Sequence, residues 1–225
     1  MATRLASSIF LFMALLLFGG SRVLAKGLLD LVIPRFEVHE ATLERAIREL
    51  HQWGVPICFE RGPVNEPTTF SLSLRDVSVR DVLNALISAD KRYIWEVHRS
   101  MTLPSPTLEI INVLPANGKG DPENLMNVRV DSLELKDINP AQAIERIYQL
   151  VPELKKAYWR RVPPGGVLSE IRPLTPPENE FSISLRLHGV SVRDVLNEIT
   201  LRSGGVCWLY EYSVSPRRHT WQVFH

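Results

Sequence analysis

The sequence predicts an α+β fold built from two small βαββαββ domains, each with a mixed, short-stranded sheet packed by two helices. The first observation is a repeat: residues 77–84, Val-Ser-Val-Arg-Asp-Val-Leu-Asn, recur unchanged as residues 190–197. The second is that apolar residues alternate before each copy, as in a strand, and then follow helical spacing through it. The third is composition, because 45% hydrophobic and 23% charged residues are typical of globular proteins.

Residues 1–25 have the pattern of a signal peptide for export. One charge, at Arg4, precedes the apolar run 9–18, and Val23-Leu24-Ala25 supplies compact residues where a signal peptidase cleaves. The run is shorter than the roughly 20 residues that cross a bilayer, and no later run approaches that length. We expect cleavage after Ala25 and a periplasmic or secreted mature protein without a membrane span. An uncleaved N-terminal anchor is the alternative.

The first domain is predicted over residues 32–114. Its first helix has Thr42 as N-cap and ends at Gly54, and its second begins at Ser78 with Asp81 as the capping-box partner. The residues predicted to form the buried helix stripes are Leu43, Ala46, Ile47 and Leu50, then Val79, Val82, Leu83 and Leu86. The predicted strands are Ile33–Val38, Val55–Phe59, Phe70–Leu74, Tyr93–Val97 and Leu108–Val113.

The second domain is predicted over residues 128–225. Its first helix has Asn139 as N-cap and Pro140 as its first residue, with Gln142 completing the cap. The remaining predicted elements are a strand at Leu133–Leu135, a helix that has the Ser191 and Asp194 capping box and ends at Gly204-Gly205, and the strands Val206–Tyr210 and Thr220–Phe224.

Two segments are predicted to be irregular. Residues 115–127 are rich in turn formers and lack apolar periodicity, which indicates a linker between the domains. The two domains align at an offset of 97 residues early in each domain and 113 residues later, so the second carries sixteen extra residues. We place this loop insertion within residues 162–180, where five prolines and two adjacent glycines forbid a continuous helix or central strand.

These motifs carry a family resemblance. A first helix ending in Gly, the run Phe-Ser-Leu-Ser-Leu-Arg-Asp-Val-Ser-Val-Arg-Asp-Val-Leu-Asn-Ala-Leu from residue 70, and a later Tyr-Ile-Trp resemble the secretin and TonB short N-terminal domain. The resemblance covers residues 32–114, and its second half recurs from Phe181. It implies a periplasmic protein-interaction module of the kind that precedes outer-membrane secretins and signalling TonB-dependent receptors. No secretin pore region, plug or barrel is found in the sequence, so the resemblance implies the fold and compartment better than the partner.

The sequence contains no recognisable catalytic, cofactor-binding or metal-binding constellation. His39-Glu40 begins like a zinc-protease helix, but Leu43 stands where the second histidine is required. The six histidines are scattered, and neither a nucleophile elbow nor a phosphate-binding loop is present. Lys and Arg total 26 against 25 Asp and Glu, which removes the electrostatic case for nucleic-acid binding. We therefore expect neither an enzyme, a cofactor nor a nucleic-acid partner.

One basic and aromatic cluster is a candidate partner-binding surface. It follows Lys155-Lys156 and consists of Tyr158, Trp159, Arg160 and Arg161, residue types that suit an acidic partner surface. Alternation along a strand, with Tyr158 on one face and Trp159 on the other, explains the cluster equally well.

The two cysteines, Cys58 and Cys207, both lie in apolar segments that are predicted to be strands. An oxidising compartment would permit a disulfide if the fold brings them together. We expect the alternative, two small buried hydrophobic residues, because neither lies at metal-ligand spacing or beside an activating base.

Two functions are compatible with this sequence. The first is an exported protein-interaction module that docks to a protein of the cell envelope, as in bacterial secretion systems, through exposed strand edges. The second is an enzyme or small-ligand binder with a site between the two domains. A pocket with converging His39, His98 or carboxylates would favour the second function, whereas separately folded units with uncovered strand edges would favour the first.

Overall fold

A computed structural model describes residues 27–62, 68–102, 108–161, 182–214 and 217–224. The predicted signal peptide, the predicted insertion at 162–180 and His225 lie outside these residues. The described part of the chain contains six α-helices and nine strands, which confirms the α+β class. None of the described helices is long and apolar enough to cross a membrane.

The elements follow the repeat in the sequence. In the first repeat, residues 32–114, they are β1 Val32–Thr42, α1 Leu43–Gln52, β2 Ile57–Arg61, β3 Thr69–Ser78, α2 Val79–Ala89, β4 Tyr93–Arg99 and β5 Glu109–Pro115. In the second repeat, residues 128–225, they are β6 Arg129–Ile138, α3 Pro140–Glu145, α4 Ile147–Leu150, α5 Pro152–Arg161, β7 Ile183–Ser191, α6 Val192–Arg202, β8 Cys207–Val214 and β9 Arg217–Phe224.

The helix boundaries are set by local caps. The Thr42 hydroxyl accepts a hydrogen bond from the Arg45 amide, and Ser78 and Ser191 each form a complete capping box with the aspartate three residues later. Asn139 caps α3. Its side chain accepts a hydrogen bond from the Gln142 amide, so Gln142 contributes to the cap through its backbone. All eight stripe residues predicted for the first two helices are buried. The caps and stripes of the first domain are therefore confirmed.

The two repeats share one five-stranded sheet in the order β4-β5-β2-β8-β9. Strand β2 lies between β5 of its own repeat and β8 of the other, and it is parallel to both. The pairs β1–β3 and β6–β7 form two separate antiparallel ribbons. The predicted pair of independent mixed sheets is therefore not what the structure contains, because β2 joins the repeats through backbone pairing.

The second repeat lacks a counterpart of β2 among its described residues. After its first helix the chain continues into α4 and α5, so the strand considered for Tyr158 and Trp159 is wrong. Pro152 at the start, Glu153 in the first turn and the good helix formers that follow favour a helix. Leu154, Ala157 and Tyr158, which have helical spacing, are buried.

Equivalent tryptophans in the two repeats lie on opposite faces of the shared sheet. Trp95 Nε1 donates to Asn84 of α2 and Trp208 Nε1 donates to Asn197 of α6, both at 3.1 Å. Strand register places Trp95 on the same face as Leu209, which neighbours Trp208 in β8 and therefore points the other way. The helices of the first repeat thus cover one face of the sheet, and α6 covers the other.

The predicted linker packs into the core. Leu125 and Met126 form a short 3-10 helix and are fully buried. The Asn124 and Asn127 side chains both donate to the Gly118 carbonyl, at 3.0 and 2.7 Å. Buried residues of both repeats belong to one hydrophobic cluster. The segment between the repeats is therefore ordered, and part of it is buried.

Candidate functional site

A buried ion pair joins the repeats where α6 meets β2. Arg193 Nε and Nη2 lie 2.9 and 2.8 Å from Glu60 Oε2, and the two residues are only 5% and 1% exposed. The Arg193 Nη1 group also donates to Asn127 at 3.0 Å, and Asn124 donates to the other Glu60 oxygen. Both charges are therefore neutralised within the protein, and Glu60 is not available as a catalytic base.

The same arginine of the repeated octapeptide is exposed in the first repeat, where it is Arg80. Both arginines stand just before the capping-box aspartate of a helix with the same cap. Helix α6 packs against β5 of the first repeat, and its Arg193 reaches Glu60 on the neighbouring strand β2. The repeated octapeptide predicts that the arginine beside the capping aspartate projects to solvent. This prediction holds for Arg80 and is wrong for Arg193.

A second buried acid, Glu198 on α6, binds the segment that follows β4. Its side chain is fully buried, and His98 Nε2 lies 3.7 Å from Glu198 Oε1. The groups that donate to its carboxylate, at 2.6 to 3.0 Å, are Ser100 Oγ, the Met101 amide, Thr102 Oγ1 and Arg202 Nη1. The residue at the equivalent position of the first repeat is Ala85, and this Ala-to-Glu difference is the sequence signal that could have identified the contact.

The environment of Glu198 makes stability depend on pH. Burial raises the pKa of Glu198, but polar contacts with His98, Thr102, the Met101 amide and Arg202 outweigh burial and hold the pKa at about 2, below its ordinary value of 4.5. Because the folded-state pKa is lowered, the stabilisation is complete above pH 4.5 and is lost as the pH falls toward 2.

We expect Glu198→Gln to destabilise the protein by about 1 to 3 kcal/mol at pH 7, because the amide removes the charge that Arg202 binds and gives one oxygen fewer as acceptor. The melting midpoint of the variant should also change less than that of the wild type between pH 5 and pH 2. Thermal unfolding across this range checks both expectations. Equal acid sensitivity in the two proteins would contradict the role of Glu198.

A cleft of about 380 Å³ lies between the repeats. Its lining includes Arg61, Lys91 and Arg92 from the first repeat and Tyr210 and Tyr212 from the second. Arg92 binds Asp90 at 2.6 Å, and Arg61 lies 3.1 Å from Glu211 and 3.6 Å from Glu44. The cleft thus combines aromatic surface with arginines that already have carboxylate partners.

The candidate cluster on α5 does not form one surface. Tyr158 is 2% exposed and packs against the His219 ring, with ring centroids 5.7 Å apart, whereas Trp159 is 47% exposed. Arg160 is exposed and lines a groove with Lys156 and Arg129. The side chain of Arg161 lies outside the described part of the structure. Tyr158 therefore belongs to the core, and Trp159 and Arg160 are the exposed members.

None of the five histidines in the described part of the chain lines the cleft. His39 and His188 are exposed on the two ribbons, His51 contacts the Val55 carbonyl at 2.9 Å, and His219 is 2.7 Å from the Tyr210 hydroxyl. Within the described ranges, no group of three or more histidine, cysteine or acidic side chains is arranged to hold a metal ion. Neither His39 nor His98 is among the residues that line the cleft.

The outer strands of the shared sheet are β4 and β9, each paired with one neighbour among the described strands. Ile94 on β4 is 38% exposed. On β9, Gln222 is exposed and Thr220, Trp221 and Val223 are buried. Among the described strands, the shared sheet therefore ends in one strand from each repeat.

Comparison with known proteins assigns no family to the chain, since no protein-family model, no curated protein and no solved structure matches it. The resemblance to the secretin and TonB short N-terminal domain thus stays a prediction.

Proposed function

We propose that this chain is an exported protein-interaction module of the secretin and TonB short N-terminal type, which docks to an envelope or secretion-system protein by adding a strand to its sheet. The observation that carries the proposal is that the two outer strands, β4 and β9, each correspond to an inner strand of the other repeat, and that each of these inner strands pairs with β2.

The first outer strand, β9, corresponds to β5. Both follow the tryptophan-containing strand of their repeat and pair with it in antiparallel fashion. The other side of β5 is occupied by β2, in parallel, from Ile57–Ile111 to Phe59–Val113. The second repeat has α4 and α5 where the first has β2, so no described strand fills the corresponding side of β9.

The second outer strand, β4, corresponds to β8 at the offset of 113 residues. On the side away from β9, β8 pairs in parallel with β2, from Phe59–Leu209 to Arg61–Glu211. The same side of β4 has no partner strand among the described residues. The protein therefore contains its own example of strand addition at positions equivalent to both edges.

The internal example defines the chemistry of the partner. Strand β2 has the sequence Ile-Cys-Phe-Glu-Arg, and its first four residues are buried. The partner segment is accordingly an extended, largely apolar stretch that runs parallel to the edge strand and pairs with backbone N–H and C=O groups that no described strand uses. On β9, Gln222 is exposed, and Thr220 Oγ1 and Trp221 Nε1 are buried without a hydrogen-bond partner in the described part of the chain.

The test removes one backbone donor from β9. Because Val214 pairs with Arg217 across a two-residue connection, the backbone N–H of Gln222 is expected to point away from β8. Partners captured from envelope extract by the mature chain are identified, and their affinities are measured for Gln222→Pro and for Gln222→Ala. We expect the proline variant to bind at least about tenfold more weakly, while the alanine variant, which keeps the N–H, binds like the wild type.

Two further measurements keep the proposal testable. Val97→Pro tests the edge of β4 in the same way. Its partner Ile111 donates to the Pro56 carbonyl on the β2 side, so the Val97 N–H is expected to point away from β5. Melting curves establish that each variant is folded. Amide hydrogen exchange on the wild type needs no variant, and it should show new protection in residues 217–224 when the partner is added. Unchanged binding by both folded proline variants, with no new protection in either outer strand, would refute docking through the edges.

A second candidate function, an enzyme or small-ligand binder, is favoured by the cleft between the repeats. Its volume and its combination of tyrosines with basic side chains would suit a small anionic or aromatic ligand. In the capture experiment, binding that is lost in Tyr212→Ala and retained in Gln222→Pro would favour the cleft over the strand edge.

A further inference from the structure

The only two cysteines of the chain lie on adjacent strands that belong to different repeats. Cys58 is in β2 and Cys207 is the first residue of β8, and both are fully buried. Both are in the thiol form in this structure. Two residues so distant in the sequence meet only because β2 crosses from one repeat to the other.

The strand register places the two backbones at a suitable distance. Phe59 pairs with Leu209, so Cys58 and Cys207 are one residue away from direct alignment. Neighbouring strands are about 4.8 Å apart and rise about 3.3 Å per residue, which puts the two Cα atoms about 6 Å apart. Disulfides span Cα separations of about 4.4 to 6.8 Å. Cys207 pairs with Phe224 of β9 at the start of β8, so strict alternation would turn its side chain to the face opposite Cys58. The hydrogen bond between the two thiols shows instead that the side chains meet at this end of the strand pair.

The thiols also interact with each other. The Cys58 thiol, together with burial, raises the pKa of Cys207 well above its ordinary value. The hydroxyl of Thr200, which is on α6, lies 3.8 Å from Cys58 Sγ. Because burial disfavours the thiolate that must attack a disulfide, exchange is expected before the sheet closes over these groups.

We infer that Cys58 and Cys207 form a disulfide that links the two repeats across the shared sheet. The oxidant is a disulfide-bearing thiol compound or protein, as found in compartments that receive exported proteins. One cysteine thiolate attacks the oxidant's disulfide and releases one of its thiols, and the second cysteine then displaces the other. Both cysteines lose a proton, one S–S bond forms, and two electrons pass to the oxidant, which leaves as two thiols.

This inference relies on the proposed export for its setting in the cell, but its chemistry can be tested on purified protein. The mature chain, residues 26–225, is unfolded with reductant and refolded in a mixture of reduced and oxidised glutathione. It is then unfolded again without reductant and treated with iodoacetamide. We expect intact-mass measurement to show no carbamidomethyl group on the oxidised monomer and two after reduction, with the oxidised form melting about 5 to 15 °C higher.

The matched control is the Cys58→Ala/Cys207→Ala double variant, whose melting midpoint should not respond to reductant. The mass measurement on the wild type remains decisive if that variant does not fold. Two alkylated thiols in refolded monomer, glutathione adducts that persist on both residues, or a disulfide between two chains would each overturn the inference. Any of these results would leave the strand-edge proposal intact, since that proposal depends on backbone donors in β4 and β9.

Discussion

Replacing Arg193 with leucine is expected to destabilise the protein by about 3 to 5 kcal/mol. The substitution leaves the Glu60 carboxylate, 1% exposed, in the core without its cation, and the remaining Asn124 hydrogen bond does not neutralise the charge. It also removes the contact of Arg193 with Asn127. Because these groups connect α6, β2 and the segment between the repeats, the substitution weakens the contacts that hold the two repeats together.

The repeat supplies the matched control for this experiment. Arg80→Leu changes the same residue of the same octapeptide, but Arg80 is exposed, and little change in stability is expected. The double variant Arg193→Leu/Glu60→Leu should recover much of the loss, because a buried pair replaced by apolar residues is often neutral. Urea unfolding measures all three free energies. Equal effects of the two arginine substitutions would contradict the structure.

Leu83→Ala and Leu196→Ala are each expected to destabilise the protein by about 2 to 5 kcal/mol, as observed for leucines removed from well-packed cores. Both side chains are fully buried, on α2 and α6 respectively. From the sequence, each substitution is expected to destabilise its own repeat. The structure changes this expectation, because both leucines belong to one hydrophobic cluster and the repeats share a sheet.

Both leucine variants should therefore lower the midpoint of a single unfolding transition. Circular dichroism and tryptophan fluorescence, followed during the same thermal melt, report on secondary structure and core packing and should give coincident curves. Leu31→Ala is the control, since Leu31 is 40% exposed. Two separate transitions, one of which keeps the wild-type midpoint in each variant, would show that the repeats unfold independently.

Most of the first repeat could be predicted from the sequence, because its signals are local. The caps at Thr42 and Ser78, like the cap at Ser191 in the second repeat, depend on side chains within three residues of the helix start. Helix α5 has a similar local signal in Pro152 and in the helical spacing of its apolar residues, but the alternation of Tyr158 and Trp159 also fits a strand. Local patterns alone therefore do not predict that the described part of the second repeat lacks a counterpart of β2.

The candidate sites could not be predicted because they depend on contacts between distant segments. The octapeptides of the two repeats are identical, yet Arg80 is exposed and Arg193 is buried against Glu60. The free energy of burying a charge is decided by what packs over it, and the carboxylate that Arg193 binds, Glu60, lies 133 residues away in the sequence. Likewise, no local pattern indicates that Cys58 and Cys207 are neighbours.

By itself, the sequence determined the duplication, the α+β class and the helix caps with their buried stripes, since these follow from hydrogen bonds and periodicity within a few residues. Only the tertiary structure decided that β2 pairs across the repeats, which arginine is buried, and which strands lie at the edges of the shared sheet among the described residues. These outcomes depend on backbone pairing and side-chain burial between segments that are far apart in the chain, where identical local sequences meet different surroundings.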